Sequence, residues 1–205
     1  MPESPEEIYA RVAAAVGTSG RLPMPTVAEW DMFPWEVVDG VLAPKVLPPP
    51  LLTEELRSGA DGEGCSTCQG SISSVPIWQN ETFHVTRPAE PGGSPMTLFL
   101  HTNEHLDFPH LDDAQAAEFG LISVWLTRII EALPHVGRVH LDRWGDGAEH
   151  MHAWFIARPE RLAGVHGAMA WEWLAILPPV DHKIWLADCA TVAHKLANHT
   201  GRALV

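Results

Sequence analysis

Cationic side chains are scarce in this chain: 13 lysines and arginines stand against 26 aspartates and glutamates, a formal charge of −13. Phosphate backbones are gripped by Lys and Arg, so this balance excludes a broad nucleic-acid surface. It leaves room for a small nucleotide held in a local pocket. Cysteine is scarce too. Three cysteines in 205 residues cannot build a disulfide framework. Long apolar runs are missing as well, none reaching the ~18 residues that a membrane span needs. The opening Met1-Pro-Glu-Ser-Pro-Glu-Glu is acidic and lacks the basic-then-apolar order of a signal peptide. The expectation is a cytoplasmic protein with no membrane partner, built as one domain with elaborations and large enough to bury a substantial core.

What cysteine there is falls in a pattern. Cys65-Ser-Thr-Cys68 lies between Gly62-Glu-Gly64 and Gln69-Gly-Ser71. In a reducing compartment a Cys-x-x-Cys signals metal or redox chemistry. A thioredoxin-like pair would open a helix after a strand, whereas glycines on both sides describe a loop knuckle. A structural zinc needs four ligands, of which such a knuckle supplies two. Twelve histidines leave the other two open. Cys189, in Leu186-Ala-Asp-Cys-Ala-Thr-Val-Ala-His194, sits in a helical pattern as a small buried residue.

Periodicity and punctuation predict the elements. Residues 5 to 16 form a helix, N-capped by Ser4 and ended by Gly17. From 22 to 52, proline and tryptophan predict extended segments wrapping the domain, with a short strand around 35 to 42 whose turn is at Gly40. Residues 53 to 64 read as loop. Hairpin strands follow near 75–79 and 82–87, then a Pro/Gly turn and a strand at 96–101. The longest amphipathic helix spans 111 to 133, with Phe119, Ile122, Leu126 and Ile130 toward the sheet, and stops at Pro134. Strands at 136–143 and 150–157 come next, a strand or helix within 165–176, a Pro-Pro break, and a last helix over 181–198. The order predicts an α+β fold, a mainly antiparallel sheet packed on a long helix. Its parts are an N-terminal helix and wrapping segment (1–64), a core (65–159) and a C-terminal extension (160–205).

The chemistry concentrates in Arg138-Val-His-Leu-Asp-Arg-Trp-Gly-Asp-Gly-Ala-Glu-His-Met-His-Ala-Trp-Phe-Ile-Ala-Arg158. Side chains two apart on a strand share a face, so His150, His152 and Trp154 are expected to point the same way. Arg138, Arg143, Arg158 and Arg161 cluster around this stretch against the global sign, which suits a phosphate-bearing ligand. The stretch resembles the signature of the histidine-triad (HIT) superfamily, His-x-His-x-(His or Gln) followed by apolar residues. The resemblance runs in order from about 65 to 159: the knuckle, Ile77-Trp-Gln-Asn-Glu-Thr-Phe-His-Val85 as the hairpin, and Thr97-Leu-Phe-Leu-His-Thr-Asn-Glu-His105 as the next strand. The branch it is most similar to contains galactose-1-phosphate uridylyltransferase.

That resemblance implies a zinc held by Cys65, Cys68, His105 and His150, with His101 and His110 as rivals to His105. It implies His152 as the nucleophile toward a nucleotide α-phosphorus. Arg143, Arg158 and the amides of Gly145 to Gly147 are the expected phosphate contacts. A nucleotide or sugar-phosphate ligand and a homodimer belong to the same expectation. The chain departs from the family at the third triad position, where Trp154 can donate one hydrogen bond but cannot exchange a proton near neutrality. It departs again in the preceding loop, where Asp146 or Glu149 occupies a region expected to hold a neutral donor. Three readings follow: a nucleotidyl hydrolase or transferase acting through His152, favoured because His150, His152 and the arginines occur together; a zinc-stabilised binding protein; and an enzyme repurposed for another reaction, with Asp146 or Glu149 as acid or base and tryptophans stacking on a ring.

Overall fold

The computed structural model describes residues 3–24, 33–70 and 73–205. Trp30, one of the tryptophans of the expected wrapping segment, lies outside the described residues. Helix α1 (Pro5–Ala15) opens as expected from a capping box, Ser4 and Glu7 satisfying each other's backbone N–H groups. Two strands, β1 (Trp35–Val38) and β2 (Val41–Pro44), form a hairpin of their own. Its turn is Asp39-Gly40, both at positive φ, the geometry that the right-handed twist of a two-residue hairpin demands. This segment corrects the expectation of a wrapping strand. Val37, Val41, Val46, Leu47 and Leu56 are each at least 65% exposed, and the hairpin satisfies its backbone by pairing its own two strands.

The main sheet runs in the order β6-β7-β5-β4-β3-β8, every pairing antiparallel. Its strands are β3 (Ser74–Gln79), β4 (Phe83–Pro88), β5 (Met96–Thr102), β6 (Val136–Asp142), β7 (His152–Pro159) and β8 (Arg202–Ala203). Helix α2 (Asp113–Glu131) starts at a second capping box, Asp112 with Gln115, and buries Ile122, Leu126, Ile129 and Ile130. Helix α4 (His182–Ala197) buries Trp185, Cys189, Val192, Ala193 and Leu196 beside it. Both helices cover one face of the sheet, whose contribution to that core is Val85, Leu98, Leu100, Ala153, Phe155 and Ala157. Phe119 packs at the margin of this core. A short helix, α3 (Ala170–Ile176), fills the stretch left open between strand and helix by the sequence. With Val165, Leu177, Val12 and Leu22 it builds a second, smaller cluster that joins α1 to the C-terminal segment. No helix among the described residues is long and apolar enough to cross a membrane.

Two glycines give the fold a stability test of opposite signs. Gly201 has φ +69°, and a Cβ there would lie 2.7 Å from the Trp78 ring and press on the Gln79 carbonyl. Gly201→Ala is expected to cost about 2–4 kcal/mol in urea unfolding, from left-handed strain plus overpacking of a fully buried tryptophan. Gly120 lies within α2 with nothing within 4 Å of an added Cβ. Gly120→Ala should therefore stabilise by about 1 kcal/mol.

Candidate functional site

The face of the sheet opposite the helices carries a row of polar and aromatic side chains set by strand register. His84, His101 and His152 are direct cross-strand partners on β4, β5 and β7, and Phe99 pairs with Trp154 one step along. The His84 and His101 rings stack at 5.0 Å, and His101 and His152 are 6.5 Å apart. Sequence reasoning missed His84 and treated His101 only as a rival metal ligand. Adjacent strands alone bring them together, and register was not readable.

At one end of this row four ligand atoms converge. The Sγ of Cys65 and Cys68 and one ring nitrogen each of His105 and His150 lie within 4.8 Å of one another. Nδ1 of His150 is 3.4 Å from Cys65 Sγ and 3.5 Å from Cys68 Sγ, and Nδ1 of His105 is 3.4 Å from Cys68 Sγ. This is a cluster able to hold a metal ion. Nε2 of His150 donates to the Thr102 carbonyl at 3.0 Å, which leaves the Nδ1 lone pair facing the thiols. Burial, reinforced by Cys65, pushes the Cys68 thiol up; a bound cation reverses that preference by favouring thiolate. Of the two rivals, His101 sits instead against Thr86, 3.2 Å from its hydroxyl, and His110 ends the exposed turn Phe108–His110.

Strand β7 begins at His152, two residues later than expected. The chain before it is diverted: Glu149 N–H donates to Ser58, and Met151 N–H to Leu106. His150 thus stands outside the ladder, fully buried and turned to the cysteines, while His152 and Trp154 share the open face. Nδ1 of His152 donates to the His150 carbonyl at 2.8 Å. That bond fixes the tautomer, so Nε2 carries a free lone pair on a half-buried ring.

Two of the expected phosphate contacts, Arg143 and Arg158, are engaged with other partners. Arg143 donates to Asp107 at 3.0 Å and lies over the Phe108 ring at 4.9 Å. Arg158 is six residues along β7 from His152, about 20 Å away at the rise of a strand, and donates to the Pro159 carbonyl. Arg138 donates to the Gly137 carbonyl of its own strand, and Arg161 pairs with Glu6. Arg138 and Arg158 are direct cross-strand partners on β6 and β7, at the end of β7 away from His152. Asp146 is exposed, and Glu149 is 3.4 Å from Arg57, which offsets the negative charge expected beside a phosphate.

Arg57 is the residue that sequence reasoning overlooked. It pairs with Asp107 at 2.8 Å and donates to the Gly145 carbonyl at 3.1 Å, tying the N-terminal segment to the glycine loop. Burial opposes ionisation of Asp107, but hydrogen bonds from Arg57, the Phe108 N–H and Arg143 outweigh it and hold the carboxyl below its usual range. Nothing in the local sequence around a lone arginine and a lone aspartate fifty positions away signals that pairing. Trp154 is enclosed by Phe99, Trp144 and Trp171, at centroid distances of 4.6, 5.2 and 4.6 Å.

Burial, and then its histidine neighbours, holds the His101 imidazole well below the usual histidine range. In the unfolded chain it titrates near pH 6.5. Below that pH the unfolded chain takes up a proton that the folded chain refuses, so stability is present above about 6.5 and lost as pH falls. Urea midpoints measured from pH 7.5 to 5 should fall steadily, and His101→Gln should flatten the slope by up to about 1.4 kcal/mol per pH unit. An unchanged slope would remove His101 as its source.

No protein-family model matches the sequence, and no curated protein matches it either. Solved structures do. A histidine triad protein from Sinorhizobium meliloti 1021 is 12% identical, with a TM-score of 0.50 over 62% of this chain and 93% of its own. A histidine triad protein from Bradyrhizobium japonicum is 12% identical, TM-score 0.49, over 62% of this chain and 94% of its own. A zinc-bound histidine triad family protein from Mycobacterium smegmatis is 14% identical, TM-score 0.46, over 66% and 94%. The fold is HIT-like, as the sequence resemblance implied.

Proposed function

We propose that this chain is a zinc-stabilised HIT-type protein that binds a nucleoside phosphate on the open face of its sheet and transfers the nucleotidyl group through His152. The observation that carries the reading is the bond from His152 Nδ1 to the His150 carbonyl, which presents Nε2 as a nucleophile. The ligand order Cys65, Cys68, His105, His150 supports the uridylyltransferase-like branch.

Zinc fits the cluster by its dimensions. Zn–S of about 2.3 Å and Zn–N of about 2.0–2.1 Å at a tetrahedral angle give an S···N edge of about 3.6 Å. The three spacings here are 3.4, 3.4 and 3.5 Å. With Cys65, Cys68, His105 and His150 as four protein ligands the site would be closed, so a bound metal would supply structure and orient His150, and through its carbonyl His152.

In the proposed step the Nε2 lone pair of His152 forms a bond to phosphorus while the bond to the leaving oxygen breaks, its electron pair departing with the leaving group. Nδ1–H keeps its bond to the His150 carbonyl, which stabilises the positive charge on the ring. An acceptor, water or a second phosphate, then takes the nucleotidyl group and restores the imidazole. Trp154 offers no proton to the leaving oxygen. Substrates whose leaving group departs as an anion, such as a phosphate or sugar phosphate, are therefore favoured over amines. Intact mass after incubation with a panel of nucleotides and nucleotide sugars tests this. An adduct of one nucleotidyl group on His152 is expected. Ligand binding with no adduct would favour the second reading, a binding protein, which the enclosure of Trp154 by three aromatic rings supports.

A further inference from the structure

One register step from the His101–His152 pair, the open face holds a cavity of about 380 Å³. Phe99, Trp154, Trp171 and Trp185 line it, and so do Glu90 and Glu172. Trp154 stands at 87° to Trp171 and 83° to Phe99, each pair at 4.6 Å between centroids, so neighbouring rings turn their faces in perpendicular directions. Trp185 already accepts a cation on one side, the Arg87 guanidinium at 4.7 Å. Glu90 is exposed and, among the described residues, pairs with His182 at 3.7 Å. Glu172 is half-buried and has neither a hydrogen bond nor an ion pair among the described residues.

The chemistry of the lining selects among ligands. An anion would meet two carboxylates with no opposing charge in the cavity wall. A neutral apolar group would fill the space yet leave Glu172 half-desolvated and unpaired, which is unfavourable. A methylated ammonium meets both needs: indole faces attract it through their quadrupoles, and the carboxylates supply counter-charge without demanding a directed N–H bond.

We infer that this cavity is an aromatic cage for a quaternary or methylated ammonium group, with Trp154 and Trp171 as walls and Glu172 as the counter-ion. The site stands apart from the reading of His152: it requires neither a nucleotide nor a reaction, and either can fail without the other. It also gives Trp154, the departure from the triad pattern, a use of its own.

The test is calorimetric titration of the 205-residue chain as purified with choline, tetramethylammonium and dimethylbutanol, the uncharged carbon isostere of choline. Choline and tetramethylammonium should bind, and choline at least about tenfold more tightly than dimethylbutanol. Trp171→Ala should weaken choline about tenfold or more, and Trp171→Phe, which keeps an aromatic face, only a few-fold. Glu172→Gln should weaken it about three- to tenfold and reduce its salt dependence. Equal binding of choline and its isostere would overturn the inference, leaving an apolar cavity. So would failure of both ammonium compounds to bind at millimolar concentration. The isostere comparison needs no variant, so the outcome stands even where Trp171→Ala does not fold.

Discussion

Protein purified without added metal is expected to carry one zinc per chain, and the double replacement Cys65→Ser, Cys68→Ser to release it and lower the melting temperature by about 6–20 °C. The size follows from what the cluster connects. Cys65 and Cys68 belong to the segment before β3, His105 to the connection after β5, and His150 to the approach to β7. Structural zinc in small peptides contributes about 10–16 kcal/mol of apparent binding energy, coupled to their folding. Here the sheet has its own core, so metal loss frees only the connections and roughly 3–5 kcal/mol is the expected share. At about 2–4 °C per kcal/mol for a chain of this size, that is the stated shift. Cys189→Ser is the control. Its thiol, pushed up to about 12 by burial in α4, is far from the cluster chemistry and should leave metal content unchanged. Metal-free wild-type protein with an unaltered melting temperature would remove zinc from the account.

His152→Ala is expected to abolish the covalent adduct while nucleotide binding persists, and Trp154→His to raise single-turnover hydrolysis of a nucleoside phosphoramidate. General acid assistance to a leaving amine is worth about 10² to 10⁴ in rate. The gain should be smaller for a dinucleoside polyphosphate, whose leaving group departs without protonation. Trp154→His also empties part of the box formed by Phe99, Trp144 and Trp171, so a loss of about 2–4 kcal/mol in stability accompanies it. Rates equal in wild type and His152→Ala would leave only binding at this face.

The sequence carried what is local. The spacing of Ile122, Leu126 and Ile130 placed α2, the hairpin strand expected near 82–87 is β4, and the glycines around Cys65 and Cys68 marked a loop rather than a redox helix. The family resemblance then picked His105 and His150 from twelve histidines, and the side chains converge. What the sequence did not carry depends on register and on chain crossings. His84 meets His101 only because β4 and β5 pair with that offset. Arg57 meets Asp107 across fifty residues of chain, and Trp171 meets Trp154 because α3 returns over the open face. Of the arginines, Arg138 and Arg158 do meet across β6 and β7, but a strand eight residues long keeps that pair away from His152.

Strand β8 is only two residues long, yet it completes the hydrogen bonding of β3 along its outer edge, pairing Trp78 with Ala203 and Gln79 with Arg202. During synthesis those partners leave the ribosome more than a hundred residues apart. For that interval β3 presents an open edge beside Ile77 and Trp78, both of which end fully buried. An unpaired apolar edge is a template for pairing with another chain. The nascent protein is therefore open to mispairing from the emergence of β3 until Arg202 and Ala203 follow, and two residues close that window.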